Sequence, residues 1–358
     1  MTTEPPTAGN GQPSRLLALG IAGAVVAGLG MAAQSRVNGE LAGRLGSGVA
    51  AAVVSFGTGL LLVALFALAS PTARRGLGRV LAALRSGGGS PGSSSSRPRD
   101  TTGSGARAPS PAAPGEPRLR WWHCLGGLCG AFLVLSQGLT VGSVGVAVFT
   151  VAVVAGQVTS GMVVDRLGVG PGGKRPVTWL RMVGAVIALC AVVIAMSGEL
   201  SDPSRLGLAV LPALAGVAIA WQQAVNGQVG VVARSPLPPT LVNFVVGLTG
   251  LLVALAVLLV LGDRPAPLPA EPVLYVGGPL GVLFIAIGAV AVRHTGVLVF
   301  AMSAVAGQLS GAVLLDLVLP ATDGPMSVAT LAGSALTLLG AVLAVVPGRT
   351  RRGRGLER

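Results

Sequence analysis

Gln34 and Asn38 stand four residues apart at the end of a long apolar stretch, and Gln222 and Asn226 repeat the pair 188 positions later. Four residues is close to one helical turn, so each pair projects from a single helix face. Amides offer both donors and acceptors without charge. Such a face can hydrogen-bond a polar, uncharged or zwitterionic molecule, or it can tie one helix to another. Interhelical amide bonds in lipid average about 0.6 kcal/mol. On residues alone both readings stand: glue between helices, or two mouths of one pathway that bind a substrate in alternation.

A second related set comprises Gln157 with Thr159 and Gln308 with Ser310, at an offset of 151. Gln137 and Asn243 are further polar residues within apolar stretches, Asn243 standing where the first copy has Ser55. Asp165 and Asp316 are acidic residues at equivalent positions. Each falls at the end of a span, where a carboxylate is either solvated, paired (Asp165 with Arg166 or Lys174), or used for proton coupling. No Asp, Glu, Lys or Arg lies deep in any apolar stretch. Recognition there must rest on amides, hydroxyls and backbone, which suits a neutral or zwitterionic ligand better than a hydrophobic cation.

Signatures of catalysis and metal binding are missing. There is no P-loop and no HExxH, and Cys124, Cys129 and Cys190 have no paired CxxC spacing and fall within apolar stretches, as inert buried thiols would. The run Gly168 to Gly173 follows an apolar helix rather than a strand, which makes it a loop. Neither a metal nor a cofactor is expected, and the chain does not read as an enzyme.

The elements that hold these residues are set by composition. Of 358 residues 52% are hydrophobic and 10% charged, and the mean hydropathy is +0.77. A soluble domain would be about 25% charged. Charge-free stretches run over 16–33, 49–69, 124–164 (divided at Gly142-Ser143), 182–198, 206–233, 241–262, 273–292, 295–315 and 326–346. Counting the third as two gives ten, each close to the ~20 residues that cross ~30 Å of hydrocarbon. Period-2 alternation is absent, which disfavours a β-barrel. The fold class is therefore an all-α membrane protein of ten transmembrane helices.

Charge orients them. With the N-terminus inside, 21 of the 25 Lys and Arg residues face the cytoplasm, and only Arg36, Arg44, Arg205 and Arg264 lie outside. Both termini are expected to be cytoplasmic. The net charge of +13 is then a record of topology, not a nucleic-acid footprint. The predicted division is a cytoplasmic tail (1–15), helices 1 and 2 (16–70), a disordered basic cytoplasmic loop (71–120), helices 3 to 5 (121–200), helices 6 to 10 (201–347) and a basic tail (348–358). Pro279 should bend the eighth span.

The chain also repeats itself. Gln34-x3-Asn38-Gly39 matches Gln222-x3-Asn226-Gly227, and Ser55-Phe56-x2-Gly59 matches Asn243-Phe244-x2-Gly247, both at offset 188. Gly126-Gly127-x2-Gly130 matches Gly277-Gly278-x2-Gly281, Gly145 to Phe149 matches Gly296 to Phe300, and Ala155 to Asp165 matches Ala306 to Asp316, all at 151. Each copy thus contains five spans. An odd number makes the second copy enter from the opposite side, so the expected architecture is two inverted five-helix repeats, a hallmark of secondary transporters.

These motifs resemble the drug/metabolite transporter superfamily, and the Gln-x3-Asn-Gly and (Ser/Asn)-Phe-x2-Gly signatures are similar to those of the YdcZ-type inner-membrane exporters. That family often occurs as single five-span units, so the chain looks like a fused pair over residues 15–70 and 120–347. The resemblance implies a bacterial-type inner (plasma) membrane location and export of a small neutral or zwitterionic metabolite by alternating access. The alternative is a non-transporting scaffold or receptor-like membrane protein with the same fold. Membrane lipid and a small molecule are the expected partners, with no nucleic acid. A homodimer is compatible with the sequence and not required by it.

Overall fold

The computed structural model describes residues 12–86, 119–170, 173–174, 178–195, 197, 203–319 and 327–345. Among them the chain is built from helices, with no strand: α1 (Gln12–Leu45), α2 (Gly48–Ala69), α3 (Pro71–Ser86), α4 (Gly126–Leu167), α5 (Trp179–Ala195), α6 (Pro203–Ala233), α7 (Leu237–Val260), α8 (Gly277–Val318) and α9 (Val328–Val345). Short 3-10 turns at Trp121–Leu125 and Pro272–Tyr275 lead into α4 and α8.

Among the described residues four helical segments are long and apolar enough to cross a membrane: Arg15–Leu45, Gly48–Ala69, Trp121–Leu167 and Leu237–Val260. Shorter apolar helices cover Met182–Ala195, Ser303–Val318 and Val328–Gly340. Leu61, Leu65 and Leu68 on α2 and Val253, Val257 and Val260 on α7 are exposed. Apolar side chains in continuous outward stripes have lipid as their solvent, and the protein is an all-helical membrane protein.

Several elements differ from the sequence expectation. α1 continues to Leu45 instead of stopping at Ala33, because Arg36, Glu40 and Arg44 follow one another at helical spacing and form i,i+4 ion pairs at 3.7 and 3.1 Å. Residues 71–86, inside the segment expected to be disordered, form α3. Ser70 caps it by accepting from the Ala73 N–H at 3.3 Å, and its apolar stripe packs on α6. The rest of that expected loop, 87–118, lies outside the described residues. Pro279 does not bend α8, since it sits in the first turn, where the missing N–H would have had no intrahelical partner. Of the cysteines expected to be buried, Cys190 is exposed on α5, while Cys124 and Cys129 are half-buried.

The 42 residues of α4 would span about 63 Å as a straight helix, twice a bilayer core. The helix breaks at Gly145 (φ 82, ψ 164), three residues beyond the expected division. Only a residue without Cβ adopts that conformation readily. Before the break α4 runs antiparallel to α6, with Gly126 beside Asn226 and Gly130 beside Gln222. After it the direction reverses, with Gly156 at Ala213 and Ser160 donating to the Val217 carbonyl at 3.2 Å. α8 behaves alike on α1. Gly277, Gly281 and Ile287 meet Asn38, Gln34 and Gly23, whereas Gly307 and Gly311 meet Val25 and Leu29.

The most extensive packing joins α1 to α8, α4 to α6, α5 to α9 and α2 to α7. Small residues permit it. A methyl on Gly307 would overlap the Val25 carbonyl, and one on Gly28 would overlap that of Ala304; Gly156 stands in the same relation to Ala213, and Gly216 to Val153.

Candidate functional site

The polar residues singled out by the repeat gather around the helix-pair crossings. Asn38 Nδ2 donates to Gln137 Oε1 at 2.6 Å, and Gln137 Nε2 donates to Ser35 Oγ at 3.0 Å. Ser35 Oγ donates in turn to the Met31 carbonyl at 3.1 Å. Ser35, Asn38 and Gln137 are all buried, at 0, 0 and 1% exposure. This chain of bonds ties α1 to α4. Its completeness matters, because a buried amide deprived of its partner costs about 1–3 kcal/mol.

Two oxygens at this site are left over. Asn38 Oδ1 and Ser55 Oγ are buried without a hydrogen-bond partner, and both face Gly277 at the start of α8, where a Cβ would collide with them. Gln34 faces Gly281 in the same way. The second copy reproduces the arrangement with roles exchanged: Asn226 Oδ1 and Asn243 Oδ1 face Gly126, and Gln222 faces Gly130. Thus the amide motif of each copy packs on the Gly-Gly-x2-Gly motif of the other. Phe56 and Phe244, equivalent residues, touch each other across the α2–α7 crossing with ring centroids 5.1 Å apart.

The two copies are not in the same state. Gln34 and Asn38 are buried, whereas Gln222 and Asn226 are half-buried. The position equivalent to Gln137 is Gly288, so the second copy has no amide there to bind Asn226. Near the first pair, further ties close the end of α1. Arg44 donates to Glu40 and Glu271 at 3.1 and 3.2 Å, and the Ala266 N–H donates to the Leu45 carbonyl at 2.9 Å.

Asp316, near the end of α8, reaches the break in α4. Its two carboxylate oxygens accept from the backbone N–H groups of Val146 and Ala147 at 3.1 and 2.6 Å. These N–H groups open the second half of α4 and have no intrahelical acceptor, so the carboxylate serves as a charged cap aligned with the helix dipole. Asp165 is half-buried at the end of α4.

Gln157 and Gln308 sit apart from the amide chain. Their backbone N–H groups lie over Gly216 and Gly28, marking the two equivalent crossings, and Gln308 is buried while Gln157 is half-buried. Gln34, Asn38 and Gln137 therefore gather where α1 meets α4 and the start of α8, and Gln222, Asn226 and Asn243 where α6 and α7 meet the start of α4. Ser35 and the facing glycines were not singled out as site residues. Ser35 is matched at offset 188 by Gln223, polar but of another type, and the recurrence of Gly126 as Gly277 is the signal that points to the glycines.

The family described as "Putative inner membrane exporter, YdcZ" matches residues 19–88, 104–194 and 207–343, most of the chain. The interval between 88 and 104 falls in the Gly, Ser and Pro-rich segment. No curated protein matches the chain. With helices, apolar spans and family coverage in agreement, the chain belongs to the YdcZ family of the drug/metabolite transporter group.

Proposed function

We propose that the protein is a secondary transporter that exports a small neutral or zwitterionic metabolite by alternating access, through ten crossings arranged as two inverted five-helix repeats. Leaving out the short basic α3 and counting α4 and α8 as two crossings each, on the strength of their reversal along α6 and α1, gives ten. The exchange of motif contacts between copies is the packing a pseudo-two-fold axis in the membrane plane would produce, and the Phe56–Phe244 pair is where that axis would pass. Both termini face the cytoplasm in this reading, by the charge bias.

The observation that carries the mechanism is the asymmetry of the two amide pairs. The Ser35–Gln137–Asn38 chain closes the outer side, while the looser Gln222 and Asn226 face the inner side. Opening would break that chain but relieve the orphaned Asn38 Oδ1 and Ser55 Oγ, so the two states can lie within a few kcal/mol of each other. Gln34, Asn38, Gln137, Gln222, Asn226, Asn243, Gln157 and Gln308 line or flank the pathway. Asp316 and Asp165 are the groups that would couple transport to protons, Asp316 by releasing the second half of α4 when its carboxylate is neutralised.

Cysteines placed at Ala33 and Gln223, in a variant with Cys124, Cys129 and Cys190 replaced by serine, test this reading. Labelling from outside at 33 and from inside at 223 should be anticorrelated as substrate candidates are added. Labelling at both sites that ignores every compound, together with no flux in liposomes by folded protein, would overturn it.

A further inference from the structure

α3 is a short helix with an unusual distribution of charge. Its sixteen residues contain Arg74, Arg75, Arg79 and Arg85 and no acidic residue. Ala73, Gly76 and Val80 are buried, with Ala83 and Leu84 half-buried beside them. Val80 packs with Leu119, Val229 and Ala233, so this face is clamped to the end of α6. At 100° per residue the four arginines fall within about 140° of arc on the opposite face. Arg79 donates to the Ala233 carbonyl at 3.1 Å, anchoring the helix at the C-terminal end of α6; Arg74, Arg75 and Arg85 are exposed.

Where this helix lies is set by its neighbours. It follows the end of α2 directly, touches the end of α6 and the start of α7, and packs on Leu119, two residues before the exposed Trp121 that leads into α4. Helix ends and an exposed tryptophan gather at the level of the lipid headgroups. Leu81, 48% exposed, shares a stripe with Arg74 and Arg85, seven residues before and four after. An outward leucine bordered by arginines suits a boundary at which one edge of the helix meets acyl chains and the other meets headgroups.

We propose that α3 is a binding site for anionic phospholipid headgroups, with the guanidinium groups of Arg74, Arg75 and Arg85 holding lipid phosphates of the leaflet along which it lies. Phosphate suits them because a guanidinium presents paired N–H donors to two oxygens of one group. A nucleic acid would meet the same charge but would leave Leu81 in water. The site requires that the protein spans a membrane and does not depend on what it transports.

The test uses the full-length protein in nanodiscs containing equal phosphatidylglycerol and phosphatidylcholine, with retained lipids counted by native mass spectrometry after release. Each basic residue near an anionic surface contributes about a fivefold factor in partitioning. The wild-type protein should retain phosphatidylglycerol at least fivefold over phosphatidylcholine. The triple variant R74Q/R75Q/R85Q should lose that preference, and the triple R74K/R75K/R85K should keep most of it. Arg264→Gln, in the loop after α7, should behave as wild type. If the triple glutamine protein does not fold, Arg75→Gln alone should still lower the preference severalfold. Equal retention of both lipids by the wild type, or an unchanged preference in the glutamine variants, would overturn the proposal. So would protection of α3 from trypsin by an oligonucleotide but not by phosphatidylglycerol.

Discussion

Phe56 and Phe244 occupy the same position in the two copies of the repeat, and their rings meet at 5.1 Å with a 49° tilt. Each ring also fills the space left by a glycine of the other copy, Phe56 over Gly247 and Phe244 over Gly59. In the proposed inverted-repeat arrangement, a residue that packs on its own counterpart lies on the axis that relates the two copies. Phe56→Ala and Phe244→Ala should each lower the melting temperature of the purified protein. The double variant should cost less than the sum of the singles, by a coupling of about 1 kcal/mol. A double-mutant cycle from equilibrium unfolding would measure this, and strict additivity would contradict the contact.

Gln137 joins Asn38 to Ser35 and has glycine as its counterpart. Removing it in Gln137→Ala leaves a buried amide without its acceptor. We expect a loss of about 1–3 kcal/mol in stability and faster outside labelling of a cysteine at Ala33. Gly288→Gln, placing an amide at the equivalent position of the other copy, should act in the opposite sense on labelling of a cysteine at Gln223. Unchanged labelling in both variants would separate the amide chain from gating.

Close helix approach should make glycine positions unequal. A Cβ at Gly278 would overlap the Ser55 carbonyl and lie against the Gly59 N–H, whereas one at Gly43 meets nothing within 4 Å. Gly278→Ala is expected to destabilise by roughly 1–3 kcal/mol through backbone displacement. Gly43→Ala should be neutral or stabilising by up to about 1 kcal/mol. Thermal melts of the two variants side by side decide it.

Asp316 caps the second half of α4 with one oxygen on each of two N–H groups. Asp316→Ala should therefore accelerate amide exchange at Val146 and Ala147 and cost about 1–2 kcal/mol. Asp316→Asn should retain only one of the two bonds, because its NH2 group opposes the other donor. Gly296 stands where Gly145 stands in the first copy, and Asp165 where Asp316 stands. Asp165→Ala should then accelerate exchange at Val297 and Leu298. Hydrogen exchange confined elsewhere would show that the two carboxylates differ in role.

Much of this is legible in the sequence. Membrane embedding follows from apolar stretches of bilayer length, since each segment's affinity for hydrocarbon is a sum over its own residues. The resemblance to the family rests on motifs that recur at constant offset, and the family match over most of the chain shows the membership. The amide residues could be named for the same reason, as polar groups in apolar surroundings need partners whatever the fold. Local limits were less legible. α1 ran on through Arg36, Glu40 and Arg44 because side-chain ion pairs sustained a helix beyond its apolar part, and α3 formed where composition suggested a loop because α6 supplied a surface for its narrow apolar stripe. The break in α4 moved to Gly145 because Asp316, 171 positions away, supplies the acceptors for the new helix start.

What only the tertiary structure decided is which copy serves which. The sequence shows that Gln34, Asn38 and Ser55 repeat as Gln222, Asn226 and Asn243, but each set packs on the glycines of the opposite copy. Nor could it show that Gln137 closes the first set while Gln222 and Asn226 of the second stay half-buried. Periodicity and hydropathy are properties of neighbouring residues in one segment. Partner choice across 99 or more positions depends on how whole helices approach, and that is fixed by the summed packing of both copies.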